Sequence, residues 1–326
     1  MKEEEIRKHD VLNRYMELAE NDVREFFDFK SFTEVSCPSC DGDNLTEEFE
    51  KIGFKYVSCN NCSTLFVSPR PSSDILKKFY SKSPSSSFWV NEFFMPVAEV
   101  RREKIFKPRA EYISKILELD KRLVIGDIGA GFCLFLEELK KMMINGSDYY
   151  AIEPSVEMSN ICQRKGIKVK CMCLEDINDM DDNFDLLTAF ELIEHLFDPI
   201  SFFKKIYSLL RPGGIMYITS LNGKGFETLL LWEQSKSISP PHHLNFFNTG
   251  SIRMLLENIG FKIMEISTPG KLDWEIVEGA IKRDKTKVNR FWDMLANEGC
   301  EESKRGLQDW IAKYNLSSHM SILAGK

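Results

Sequence analysis

The run Val124-Ile125-Gly126-Asp127-Ile128-Gly129-Ala130-Gly131-Phe132-Cys133 constrains the fold of this chain more than any other segment. An apolar stretch of strand length passes into a glycine turn and then into residues that can open a helix. The glycines remove the Cβ atoms that would hold a ligand away from the backbone, and the helix start offers free N–H groups. Alternation continues on both sides. Periodicity and turn residues predict helices over 101–119, 132–143, 155–165, 199–210 and 249–259, with Ser155 as an N-cap and Gly260 ending the last. Strands are predicted over 123–128, 149–152, 167–171, 184–189, 215–219, 261–267 and 320–324. The implied fold class is α/β, a Rossmann-like parallel sheet with helices on both faces. A polar helical insertion is expected over 270–315.

Two ligands compete for the glycine turn. A dinucleotide fingerprint needs Gly-x-Gly-x-x-Gly, and here the third position is Leu134. That disfavours a nicotinamide enzyme. The alternative is an acidic residue followed by Gly-x-Gly, and Asp127-x-Gly129-x-Gly131 fits it. Glu153 closes the next strand, where a carboxylate can accept both hydroxyls of a ribose. Cys173-Leu174-Glu175-Asp176 follows the third strand. Asn183-Phe184-Asp185-Leu186-Leu187, Glu191-Leu192-Ile193-Glu194-His195 and Leu210-Arg211-Pro212-Gly213-Gly214 come after it. This ordered set resembles the class I SAM-dependent methyltransferases from about Arg101 onward. The resemblance implies a seven-stranded sheet whose last strand is antiparallel. It also implies S-adenosylmethionine contacts from Asp127, Gly129, Gly131, Glu153, Leu174 and Glu175.

Upstream, Cys37-Pro38-Ser39-Cys40 and Cys59-Asn60-Asn61-Cys62 form two CxxC pairs a hairpin apart. Four thiolates so spaced make a closed tetrahedral site, so a structural Zn²⁺ held by Cys37, Cys40, Cys59 and Cys62 is expected, in a small zinc ribbon. The remaining cysteines, Cys133 and Cys162 among them, read as ordinary core or surface residues. Asp41, Asp43, Glu47, Glu48 and Glu50 give the ribbon the wrong sign for phosphate. The segment ends in Phe66-Val67-Ser68-Pro69-Arg70-Pro71 and is similar to the N-terminal module of sugar and natural-product methyltransferases. That resemblance implies a small polar acceptor, a sugar or nucleotide sugar, methylated on oxygen or carbon.

Two groups of residues could serve the acceptor. The first is Ser239-Pro240-Pro241-His242-His243-Leu244-Asn245, in the loop after the fifth strand, where ligands of such sheets bind. An imidazole there can take a proton from a hydroxyl. In the sugar C-methyltransferases this loop carries Glu-His. The Glu position is His242 here, so His243 is the expected base and His242 its partner. The second group is Glu191, Glu194 and His195, spaced as on one helical face. It is similar to the ubiquinone-pathway O-methyltransferases and is a candidate for a divalent cation.

The expected organisation is an N-terminal amphipathic helix over 1–30, the zinc module over 31–72, a linker or lid over 73–100, and the methyltransferase domain over 101–326. The helix reads as a packing or dimerising element, leaving a homodimer open. The charged start and the lack of a 20-residue apolar run point to a cytoplasmic protein without a membrane partner. A net charge of −7 disfavours nucleic acid. An RNA methyltransferase with a zinc reader and a non-catalytic SAM-binding protein stay as alternatives.

Overall fold

The computed structural model describes residues 2–117, 121–143 and 146–326. An antiparallel meander comes first: β1 (Leu45–Lys51), β2 (Phe54–Cys59) and β3 (Leu65–Val67). The later strands are β4 (Val124–Ile128), β5 (Asp148–Ile152), β6 (Lys168–Lys170), β7 (Phe184–Phe190), β8 (Leu210–Leu221), β9 (Asn245–Phe246), β10 (Lys262–Ser267) and β11 (His319–Gly325). Seven of these form one sheet in the order β10-β11-β8-β7-β4-β5-β6. Only β11 runs against its neighbours, so the expected reversed final strand is present. The two-residue β9 leaves that sheet. It pairs with β3, Leu65 opposite Phe246 and Phe66 opposite Asn245, and completes a four-stranded sheet with the cysteine segment.

The main helices are α1 (His9–Phe26), α2 (Ser73–Lys82), α3 (Lys107–Ser114), α4 (Leu134–Met142), α5 (Val156–Arg164) and α6 (Pro199–Leu209). They continue with α7 (Phe226–Leu231), α8 (Thr249–Ile259), α9 (Asp273–Lys282), α10 (Arg290–Glu298) and α11 (Glu301–Lys313). Helices α6 and α8 cover one face of the large sheet through Phe202, Phe203, Ile206, Ile252 and Leu255. On the other face, α3, α4 and α5 bury Ile113, Phe135, Leu136, Leu139 and Cys162. Each such apolar side chain contributes about 1.5–3 kcal/mol on burial. Local chemistry sets the helix ends as expected: Ser155 Oγ accepts from Met158 N, and Gly260 closes α8 at φ 115°. The insertion is helical. Trp274, Val277 and Ile281 of α9 and Ala296 of α10 build a small core with Leu231 of α7.

Two segments differ from expectation. The predicted helix 101–119 begins earlier, within a helical run from Ala98, and its residues 118 and 119 lie outside the described residues. Residues 73–100, rich in Ser and Lys, are helical almost throughout, because Leu76 and Phe79 of α2 recur at helical spacing and bury against Phe27, Phe54 and Phe246. Helix α1 directs Leu12, Tyr15 and Val23 inward onto Phe93 and the ribbon, so its apolar stripe is consumed within the chain.

Candidate functional site

At the carboxyl end of β4 the chain turns with Gly129 at φ 67°, Gly131 at φ 51° and Cys133 at φ 58°, conformations that favour glycine at the first two positions. Asp127 ends β4 buried, its Oδ1 accepting from Thr188 Oγ1 at 2.6 Å. Burial raises its carboxyl to about 7, against the Thr188 hydrogen bond that lowers it. Glu153 directly follows the neighbouring strand β5. Its Oε2 accepts from Gly131 N and its Oε1 from Ser155 N, both at 2.9 Å, so it holds the glycine turn against the start of α5. Burial pushes this carboxyl up too. Leu174 is buried beside the turn that Glu175 exposes at the cleft rim.

Cys133 and Cys162 are joined by a disulfide with Cα atoms 5.7 Å apart, tying the glycine turn to α5. Their expected place as ordinary core residues is corrected accordingly. The pairing was hidden because 29 residues separate the two in sequence, and only the packing of α5 on the turn brings them together.

A single cleft of about 1880 Å³ runs from this turn to the loop after β8. At its far end His243 Nδ1 lies 2.6 Å from Ser237 O. A carbonyl only accepts, so Nδ1 carries the proton and Nε2 keeps its lone pair. His195 repeats this arrangement: its Nδ1 donates to His242 O at 2.8 Å. The two imidazoles meet edge to face with centroids 4.8 Å apart. Each offers a ligand atom that lies, with a Glu194 oxygen, inside a 4.8 Å group. Burial lowers His243 to about 3 and His195 to about 4, so both are neutral at physiological pH. Glu194 is buried and raised, and its Oε2 accepts from Ser220 at 2.9 Å.

The structure parts residues that the sequence groups. Glu191 turns at φ 50° and is taken by Arg109 at 2.9 Å, His319 at 2.7 Å and Thr219 at 2.6 Å. Burial works to raise Glu191, but His319 and Arg109 hold it well below the ordinary carboxylate range. Glu194 and His195 instead converge with His243. His242 packs its ring among Tyr15, Phe79 and Tyr80, with Nε2 3.4 Å from Ser85 Oγ.

Several cleft residues escaped the sequence reading. Tyr80 of α2 donates to His242 O at 3.1 Å, beside His195. Arg109 stacks on Phe190 with its guanidinium carbon 4.8 Å from the ring centroid. Tyr80 was obscured by the Ser- and Lys-rich text around it, although Ile75, Leu76, Phe79 and Tyr80 already share one helical face.

The four ribbon cysteines converge from the turns flanking β1 and β2. Cys37 and Cys62 Sγ are 3.4 Å apart and Cys40 and Cys59 Sγ 3.5 Å, with all four inside a 4.8 Å group. A tetrahedral zinc with bonds of ~2.3 Å spaces its sulfurs by roughly 3.8 Å, so the donor set and its size suit that ion. Ribbon and cleft are physically continuous. Tyr56 Oη donates to His243 O at 2.8 Å, Val67 N to Leu244 O at 2.9 Å, and Arg70 Nη2 to Asn245 Oδ1 at 3.1 Å.

A family model described as a methyltransferase domain matches residues 98–266, just over half of the chain. The chain is 32% identical over 146 residues to a ubiquinone biosynthesis O-methyltransferase of Parvibaculum lavamentivorans, covering 40% of this chain and 58% of that protein. It is 26% identical over 172 residues to the ubiquinone biosynthesis O-methyltransferase of Xanthomonas euvesicatoria pv. vesicatoria, covering 49% of this chain and 70% of that protein. Among solved structures, a SAM-dependent methyltransferase from Archaeoglobus fulgidus is similar with 21% identity and a TM-score of 0.46, covering 69% of this chain and 94% of that one.

Proposed function

The chain belongs to the methyltransferase-domain family, and from that premise we propose that it moves a methyl group from S-adenosylmethionine to a hydroxyl of a small acceptor. One observation carries the reading: the same cleft joins the Asp127–Gly131 turn and Glu153 to the imidazoles of His243 and His195. In this reading Gly129 and Gly131 let the backbone approach the donor, Glu153 takes its ribose hydroxyls, and Leu174 and Glu175 border the adenine. The donor supplies an electrophilic methyl on a sulfonium. The chain holds the acceptor oxygen in line with it, and His243 Nε2 receives the hydroxyl proton as the new bond forms. His242 braces the loop, its ring closed in by three aromatic neighbours. The four cysteines hold a structural zinc ion.

Oxygen as the acceptor atom follows the names of the curated relatives. The sugar expected from the ribbon has no such support and enters the test as one arm. The test is calorimetric titration with S-adenosylmethionine, S-adenosylhomocysteine and NAD. A panel of phenols, catechols and nucleotide sugars follows, read by homocysteine-product formation and by the methylated acceptor's mass. Folded, zinc-loaded protein that binds neither S-adenosyl compound would sink the proposal.

Glu153→Ala is expected to weaken both S-adenosyl compounds by about 10- to 100-fold, because losing the buried carboxylate leaves both the ribose and the Gly131 N–H without an acceptor. Unchanged affinity in calorimetry would remove Glu153 from the donor site.

Asp127 should also mark the donor's charge. Its carboxyl sits at about 7 in the free protein, and a sulfonium nearby favours the ionised form. Below that value a proton must leave on binding, so S-adenosylmethionine should bind more weakly as pH falls from 8 to 6, by at most about tenfold per unit. The homocysteine product has no sulfonium and should show a smaller slope. Equal slopes for the two ligands, or a slope surviving Asp127→Asn, would show that another group is responsible.

A further inference from the structure

Arg101 and Arg102 are neighbours on one helical run and have opposite fates. Arg102 turns outward and meets three carboxylates: Glu99 at 3.0 Å, Glu137 at 2.8 Å and Glu138 at 3.1 Å. Arg101 turns into the cleft and meets none among the described residues. Its Nε is buried without any hydrogen-bond partner, and its Nη1 reaches only the Ile6 carbonyl at 3.4 Å. The guanidinium carbon lies over Phe94, 4.6 Å from the ring centroid, and Phe94 is itself stacked on Phe132 of the glycine turn at 5.4 Å. Of the other cations lining the cleft, Lys77, Lys82 and Lys271 are exposed to water, and the remaining four have carboxylates. Arg7 is held by Glu3, Lys104 by Glu5, Arg109 by Glu191 and Lys236 by Asp284. Burial, together with the charges of Arg109 and Arg7, pulls Arg101 down to about 10, which leaves it charged at physiological pH but poorly solvated.

An unpaired, partly desolvated guanidinium with an orphaned N–H is costly to maintain, and its planar fork matches an oxyanion. We infer that the cleft carries a subsite for an anionic group of the acceptor, a carboxylate or a phosphate, centred on Arg101 Nε and Nη. The inference rests on the methyl-transfer reading above and narrows its acceptor to one bearing a negative charge away from the hydroxyl that reacts. Phe94 supplies the other wall, fixing the guanidinium plane so that the fork is presented to the ligand.

The test uses protein saturated with S-adenosylhomocysteine and titrates it with inorganic phosphate or acetate. Wild type should bind at least one of them, Arg101→Met should weaken that binding about tenfold or more, and Arg101→Lys should fall between, with the homocysteine-product affinity unchanged and the melting temperature not lowered in either variant. Preference for phosphate would point to a phosphorylated acceptor, and preference for acetate to a carboxylic acid. The inference is overturned if neither anion binds wild type, if Arg101→Met and Arg101→Lys bind both anions as wild type does, or if the substitutions weaken the S-adenosyl ligand instead, since Arg101 would then serve the donor's own carboxylate. Failure of wild type to bind S-adenosylhomocysteine would defeat the methyl-transfer reading itself. Normal binding of that ligand without anion binding defeats the subsite alone.

Discussion

Cys59→Ser should abolish acceptor methylation, by about 100-fold or more, while leaving S-adenosylhomocysteine affinity within a few-fold of wild type. The cysteine end of the ribbon has a thin core. Beneath the cysteines Val57 and Phe66 join Cys37 and Cys59 as buried apolar residues, too little to hold the cysteine turns without their staple, although the opposite face of the meander packs Phe54, Tyr56, Leu65 and Val67 against α1 and α2. Structural zinc supplies on the order of 10 kcal/mol in small modules, and replacing one thiolate opens the closed site. The consequence travels because β3 pairs with β9 and because Tyr56, Val67 and Arg70 hold the backbone of His243, Leu244 and Asn245. The donor turn stands on the other sheet, fastened by Glu153 and by the bond between Cys133 and Cys162. Metal analysis should find one zinc per chain in wild type, and calorimetry should separate the two functions. A Cys59→Ser protein with full zinc content, unchanged melting temperature and undiminished turnover would show that the four thiols are not a structural metal site.

Features encoded within a few residues were legible from sequence, and features made by distant pairings were not. The glycine turn, the Ser155 cap and the Gly260 stop each need only neighbouring atoms. The CxxC pairs are also local, and their union needs only a hairpin. By contrast, the short β9 carries no periodic signal of its own: two residues form a strand because the ribbon presents an open edge to them. Glu191 reads as one of three residues on a helical face, yet its positive φ and the distant His319 and Arg109 draw it out of the group. His243 reaches Glu194 and His195 by the path of the loop, across 49 and 48 positions, which no spacing rule expresses. Composition misled at 73–100. Serine and lysine coat the exposed sides of α2, while the side that counts carries Leu76, Phe79 and Tyr80.

His243→Gln should lower kcat by about 100- to 10,000-fold, the usual contribution of a positioned base, with the donor's affinity unchanged. Glutamine preserves a polar side chain of similar reach but has no lone pair basic enough to receive a proton. In wild type the Ser237 carbonyl fixes the tautomer that leaves Nε2 open to the cleft. The pH profile carries the sign. Burial lowers His243 to about 3 and His195 to about 4, so the basic forms persist far below the ordinary histidine range. Activity should therefore be nearly flat from pH 6 to 8 as far as these groups are concerned, with the acid limb well under 6.5. The imidazolium formed during transfer is offset by the simultaneous loss of the donor's positive charge, so the site gains no net charge, which is why a base of low resting pKa can work here. His195 faces the same space with the same tautomer. If it shares the proton, His195→Gln will be milder and the double variant no worse than His243→Gln alone, a non-additivity expected of residues acting as a unit. A His243→Gln enzyme that keeps more than a tenth of wild-type kcat, or a wild-type kcat whose acid limb is centred near 6.5 with S-adenosylmethionine saturating at every pH, would remove His243 from the proton's path.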